Sequence, residues 1–242
     1  MNLHIVTGAS RGLGLALAEI LTTAGDHVVD LSRSGRATAP NFRSYPCDLS
    51  SPESKEPLLK RVLADHPLDR YQRITLTNNA GMVDPIRPLE RLSESEIAKN
   101  VFVNLTAPMI LTSAFLRLTS SFKGERVIAN VTSGVAKFPK ASWAPYSISK
   151  AGIDAFTEVL AKEYEGQSGV RVVNFEPGII DTEMQALIRH TSEADFAERD
   201  RFVAFKNEGQ LQPPAKVAGI LAQFLRDPEL PAKTFTSIYD HI

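Results

Sequence analysis

Leu3-His4-Ile5-Val6-Thr7-Gly8-Ala9-Ser10-Arg11-Gly12-Leu13-Gly14, running on into Leu15 to Leu21, is the stretch that decides the fold. Its first five residues are largely apolar and β-branched, as in a buried strand. The glycines that follow let the backbone turn tightly and come close to an anion, and the amphipathic run after them reads as a helix. The start of such a helix offers unpaired N–H groups and a partial positive charge, so strand, glycine turn and helix in this order make a phosphate-binding element. A glycine triplet alone is as often a tight structural turn, and its place directly after the first strand favours the anion.

Outward from this element, β-rich runs recur at Leu3 to Thr7, His27 to Leu31, Ile74 to Thr77, Arg126 to Thr132 and Val170 to Phe175, with weaker ones at Phe42 to Tyr45 and Thr234 to Ile238. Helix-length patterns lie between them at Gly12 to Ala24, Pro57 to Asp65, Ser93 to Ser120 in one or two pieces, Pro145 to Tyr164 and Pro214 to Leu225. Ser93 with Glu96 forms a capping-box pattern, and Pro214 suits a first helical turn. Parallel strands need crossover connections, so the alternation predicts an α/β chain: one Rossmann-type doubly wound parallel sheet of about seven strands, with helices on both faces, over residues 1–242. Residues 181–213 break the rhythm and are expected to form a lid, because ligands enter at the carboxyl ends of the strands.

The 242 residues suit one such domain, and 43% apolar with 23% charged residues marks a globular chain. Lys plus Arg (27) nearly balances Asp plus Glu (28), so no cationic face for nucleic acid is expected, and the partner should be a small molecule. Cys47 is the sole cysteine, which excludes an intramolecular disulfide and a clustered thiolate metal site. His4, His27, His66, His190 and His241 are scattered, and no metal is expected. The N-terminus lacks signal-peptide features, and the apolar runs stop short of the ~20 residues that cross a bilayer. A soluble, cytoplasmic protein without a membrane span is the expectation.

A dinucleotide with a free ribose is usually held by an acid at the end of the second strand, about 20 residues past the glycine turn. Asp30 is the candidate, yet it falls inside the strand, whereas Ser32 and Arg33 stand at its mouth. A guanidinium pairs bidentately with a 2′-phosphate, and Arg11 in the turn can add a second cation, so NADP(H) is favoured over NAD. Two solvated surface arginines are the plain rival.

Tyr146 and Lys150 are four apart in a helical segment and share a face. Carbonyl reduction needs a hydride and a proton, and a tyrosine next to an ammonium is expected to be acidified by it. Ser133, at the end of the strand Arg126 to Thr132, can donate a hydrogen bond to the substrate oxygen. Alone, a Tyr and Lys four apart are an ordinary helix face, and the combination with Ser133 and the glycine turn is what points to chemistry.

With these residues the chain resembles the short-chain dehydrogenases/reductases along nearly its whole length. The resemblance runs through Thr7 to Gly14, Cys47-Asp48-Leu49, Asn78-Asn79-Ala80-Gly81, Asn104, Ser133, Tyr146 with Lys150, and Pro177-Gly178 leading to Ile180 and Thr182. It implies a catalytic set of Asn104, Ser133, Tyr146 and Lys150, in which Asn104 holds a water that feeds protons through Lys150 and a ribose hydroxyl to Tyr146. It further implies cofactor contacts from Gly8, Ser10, Arg11, Gly12, Leu13, Gly14, Ser32, Arg33, Asp48, Leu49, Asn79, Ala80 and Gly81. Tyr146, Lys150, Pro177, Gly178, Ile180 and Thr182 complete them, with Asp48 at the adenine and Ile180 with Thr182 at the carboxamide. Each has a structural rival: Asp48 can start a turn, and Asn78, Asn79 and Asn104 can satisfy buried backbone groups.

The run Phe175 to Gln185 resembles the sepiapterin reductase and benzil reductase branch, which implies an α-dicarbonyl or bulky aromatic ketone as substrate. Met82, Val135, Phe138, Trp143, Met184 and Leu187 are candidates to line its pocket, with Trp143 on a stiff loop between Pro139 and Pro145. Core packing serves equally well for each. Family resemblance implies a homodimer or homotetramer through the helices near Asn104 to Ser120 and Pro145 to Tyr164. An NAD-dependent dehydrogenase using Asp30, and a non-catalytic dinucleotide sensor on the same fold, are the rival functions.

Overall fold

In the computed structural model, residues 1–36, 39–51, 53, 55–167, 169–227 and 229–242 are described. Seven strands, β1 (Asn2–Thr7), β2 (His27–Ser32), β3 (Phe42–Pro46), β4 (Arg73–Asn78), β5 (Glu125–Val131), β6 (Val170–Glu176) and β7 (Lys233–Ser237), form one sheet in the order β3-β2-β1-β4-β5-β6-β7. Every pair is parallel, with Val6 opposite both Asp30 and Thr77. The order reverses at β1, which opens a crevice beside the glycine turn at the carboxyl ends of β1 and β4.

Strand pleating sends alternate residues to two cores. Val6, Val28 and Val127 face α1 (Gly12–Thr23) and α8 (Pro214–Arg226), where Leu17, Leu21, Leu221 and Leu225 are buried. Ile5, Val29 and Ile128 face the other way, onto Leu59 and Val62 of α2 (Glu56–Asp65) and Leu111 and Phe115 of α4 (Ala107–Leu118). The capping box at Ser93 and Glu96 opens α3 (Glu94–Val101), and Pro214 is the first residue of α8.

The stretch expected as one or two helices is continuous from Glu94 to Leu118, with π-helical turns at Phe102–Thr106. This corrects the expected shortness of the apolar runs, because the stretch is long and apolar enough to cross a membrane. Its Ala107, Leu111, Ala114 and Phe115 are nevertheless buried against the sheet, as in a core helix. Residues 181–213 carry α6 (Glu183–His190) and α7 (Arg199–Asn207), and a bridge between Ile180 and Gln212 closes their stem. α5 (Ala144–Glu163) completes the set.

At the amino ends of the strands lies a buried polar network. His4 is fully buried, with Nδ1 2.9 Å from Thr75 Oγ1 and Nε2 3.3 Å from Asp26 Oδ2. Asp26 also accepts from the Asn2 amide at 2.9 Å and from Arg226 Nε at 2.9 Å. Burial lowers the imidazole, against the pull of Asp26 and with help from Arg226 and Arg73. Burial alone would raise Asp26, but the hydrogen bonds from His4, Asn2 and Arg226 hold it well below the carboxylate range. His27 and His66 both approach the Tyr71 hydroxyl, at 2.8 and 3.3 Å.

A histidine held neutral in the fold takes a proton only on unfolding, so stability should fall as pH drops below its ordinary value of 6.5. Thermal melting between pH 7 and 5 should show this decline, and His4→Gln should flatten the slope, leaving the part due to His66, which burial also lowers. An unchanged slope in the variant would contradict the assignment.

Candidate active site

The glycine turn is fixed from beneath by Asp30. This fully buried carboxylate accepts the Ala9 amide at 2.8 Å on one oxygen and the Ser32 hydroxyl at 2.6 Å on the other. Burial raises its pKa, and the Ser32, Ala9 and Ser44 hydrogen bonds pull against that. Asp30 thus faces the turn rather than the cleft mouth, and Ser32 is engaged with it and with the Gly35 amide. From the β4 side Asn79 donates to the Thr7 and Gly8 carbonyls at 2.9 and 3.3 Å, while the Ala80 amide donates to Thr7 Oγ1.

These restraints leave a cradle that fits a pyrophosphate. Gly12 has φ +57°, and a Cβ at Gly14 would stand 2.4 Å from the Gly8 carbonyl oxygen. No side chain caps the start of α1, so its first amides are free for an anion. Ser10 and Gly12 are half-buried, whereas the Leu13 side chain packs into the core and leaves only its backbone to the cradle. Thr182 at the head of α6 adjoins the turn, since a Cβ on Gly12 would lie 3.4 Å from its Cγ2.

Arg33 is exposed at the mouth of β2, near enough to Asp48 to help lower that carboxyl. The hydrogen bonds from Ser50 lower it more, for Asp48 holds a turn through the Ser50 amide at 2.9 Å, and Leu49 behind it is buried. Arg11 departs from expectation as a second cation beside Arg33. Its guanidinium pairs instead with Glu183 of α6, both side chains being largely exposed.

Tyr146 and Lys150, one turn apart on α5, are both nearly fully buried. Burial raises the phenol, opposed by a hydrogen bond with Ser133. It brings the ammonium down to about 8, opposed by the charge of Asp154. The net direction at Tyr146 is therefore opposite to the acidification expected from Lys150, because burial prevails. The Lys150 Nζ donates to the Val131 carbonyl at 2.8 Å and sits 5.8 Å from the Tyr146 ring centroid.

Asn104 lies in the π-helical turns, a feature frequent at functional sites, with its side chain committed. It accepts the Met82 amide and donates to the Met82 carbonyl and Asn100. A Cβ at Gly81 would stand 3.2 Å from Asn104 Oδ1 and 3.7 Å from Lys150 Nζ, so the three meet at one point. Pro177 and Gly178 follow β6, with Gly178 against Ile238 and Tyr239. Ile180 opens the stem of the 181–213 excursion.

Above the phenol is an aromatic cluster. Trp143, just ahead of α5, lies edge-on to Tyr146 at 5.7 Å, stacks on Phe196 at 5.2 Å and tilts against Phe202 at 5.4 Å. Val83, Ile86, Val135 and Ile188 close around them, with Met184 at the margin. Phe138 and Leu187 do not join: they are 76% and 41% exposed. Sequence reasoning missed Phe196 and Phe202, which carry no local signal, and Asp154, whose place one turn beyond Lys150 on α5 was a readable one.

The family model for short chain dehydrogenase matches residues 2–193. Benzil reductase ((S)-benzoin forming) of Bacillus subtilis is 39% identical over 93% of both chains, and that of Bacillus cereus is 37% identical over 96% of both. Sepiapterin reductase of Bos taurus is 30% identical over 99% of this chain and 95% of its own. A short-chain dehydrogenase from Streptomyces avermitilis superposes with a TM-score of 0.77 at 25% identity, covering 97% of this chain and 87% of its own.

Asparagine at position 30 has one carboxamide oxygen for two donors, and a buried partner left unpaired costs about 1–3 kcal/mol. Asp30→Asn should therefore lower the melting temperature by several degrees and weaken NADPH and NADH binding alike, as read by calorimetry. Selective loss of NADH would show instead that Asp30 reads the ribose.

Proposed function

Because this chain belongs to the short-chain dehydrogenases/reductases, oxidoreductases that use a nicotinamide dinucleotide, we propose that it reduces an α-dicarbonyl or bulky aromatic ketone to the alcohol with NADPH. The observation that carries this reading is the buried Tyr146 beside Ser133 and Lys150. A phenol raised by burial keeps its proton at neutral pH, which is the form a ketone reduction consumes. The bound dinucleotide supplies the hydride and, once oxidised, a positive charge that favours the phenolate.

The chain's residues do the rest. Ser133 donates to the substrate oxygen as negative charge develops there, and Tyr146 delivers the proton. Lys150 holds the nicotinamide ribose and lies near Asn104, which holds a water that feeds protons through Lys150 and a ribose hydroxyl to Tyr146. The 181–213 segment acts as a lid whose Phe196 and Phe202 exclude water and favour aromatic substrates. The likeness to the Bacillus benzil reductases supports an aromatic 1,2-diketone.

NADPH is preferred in this reading because Asp30 spends both carboxylate oxygens on Ala9 and Ser32, while Arg33 is exposed at the mouth of β2. The protein works in the cytoplasm as a homodimer or homotetramer. Exposed Met109 and Ile110 on α4 and Ile148 and Val159 on α5 support those helices as the contact.

With benzil as substrate, Arg33→Ala should raise the KM for NADPH about tenfold or more and leave that for NADH nearly unchanged, since a charge-assisted pair is lost. Undiminished NADPH use would remove the argument for the phosphate. Tyr146→Phe should lower kcat by roughly 10²- to 10⁴-fold while NADPH still binds; turnover near the parent rate would rule the phenol out as donor.

A further inference from the structure

Trp143 is 3% exposed, and its Nε1–H has no hydrogen-bond partner among the described residues. Ser147 and Ser149 on α5 also have buried, unpartnered hydroxyls, but a helical hydroxyl can rotate toward its own helix's carbonyls. An indole has one donor in one fixed direction, and burying it unpaired is costly. Packing alone would be served by phenylalanine, which provides the same flat apolar ring without that cost.

The indole is also fixed relative to the reacting centre. The Trp143 backbone carbonyl accepts the Ser147 amide at 2.8 Å and its backbone amide donates to the Lys140 carbonyl at 3.3 Å, which seats the residue at the head of α5. Tyr146 follows three residues later on the same helix face, with the two rings 5.7 Å apart. Atoms adjoining a carbonyl that takes the Tyr146 proton would lie near Trp143, whose ring is 5.7 Å from the phenol ring. The other neighbours of Trp143 are apolar rings and aliphatic side chains, Phe196, Phe202, Val135 and Ile188.

We propose that Trp143 Nε1–H donates a hydrogen bond to the second carbonyl oxygen of a 1,2-diketone, and so sets a preference for diketones over simple ketones. The proposal rests on the carbonyl-reductase reading above. The second oxygen reaches the indole as Phe196 and Phe202 part from it on the lid. Trp143 is a specificity-determining residue here, since the bond made to it lies beside the carbon that is reduced.

The test compares benzil with deoxybenzoin, which has the same two phenyl rings but a methylene in place of one carbonyl. In Trp143→Phe, the ratio of kcat/KM for benzil to that for deoxybenzoin should fall about tenfold or more, whatever loss the altered packing imposes on both, since a site donor left without its acceptor discriminates strongly. An unchanged ratio would overturn the proposal. Trp143 is the only tryptophan in the chain, so [¹⁵N]tryptophan labelling gives one indole N–H signal in the parent protein. With NADP⁺ present, benzil should move that signal downfield and deoxybenzoin should not, and equal responses would overturn the proposal even if the variant fails to fold. Absence of turnover of both ketones by the parent enzyme would defeat the functional reading itself, while the indole signal would still decide the contact.

Discussion

A phenol and an ammonium buried side by side constrain everything else in this molecule. Removal from water disfavours both charged forms, so Tyr146 is driven to hold its proton and Lys150 to release one more readily than a surface lysine would. Such a pair persists only where the surrounding fold supplies compensating partners. The Val131 carbonyl accepts a hydrogen bond from the ammonium, Asp154 supplies a counter-charge one turn along α5, and Ser133 reaches the phenol. Asp154 is itself held by Thr132 and Asn174 at 2.5 and 2.9 Å, from the ends of β5 and β6. Helix and sheet therefore fix the pair jointly.

The same logic of committed groups organises the cofactor side. Asp30 and Asn79 hold the glycine turn, and the Thr7 hydroxyl ties the end of β1 to the segment after β4, which leaves the first amides of α1 without a side-chain cap. A buried carboxylate used this way holds the turn in place from beneath. At Gly81 a side chain would crowd the Asn104 Oδ1 and approach the Lys150 Nζ, so these two groups meet over a bare backbone.

What was legible in the sequence was what is local. The strand-turn-helix at Leu3 to Leu21, the seven strands, the capping box at Ser93 and the shared face of Tyr146 and Lys150 follow from spacing and residue type, which the backbone alone enforces. The position of Asp30 two residues inside β2 already hinted at its inward role. What depended on distant segments was hidden. Arg11 meets Glu183, which lies 172 residues along the chain, and Phe196 and Phe202 reach Tyr146 only because the excursion from Ile180 to Gln212 folds back over α5. Phe138 looked like a pocket residue by proximity in sequence, yet the loop before α5 turns it outward. The sign of the effect on Tyr146 was hidden too, because spacing gives neighbours but not desolvation.

Burial keeps the Tyr146 phenol in its protonated form. Titration of Tyr146 by NMR in protein carrying [¹³Cζ]tyrosine, with Tyr146→Phe to assign the signal, measures this directly. In the protein alone the phenol should ionise above its ordinary value of 10.0. Ionisation at or below that value would contradict it.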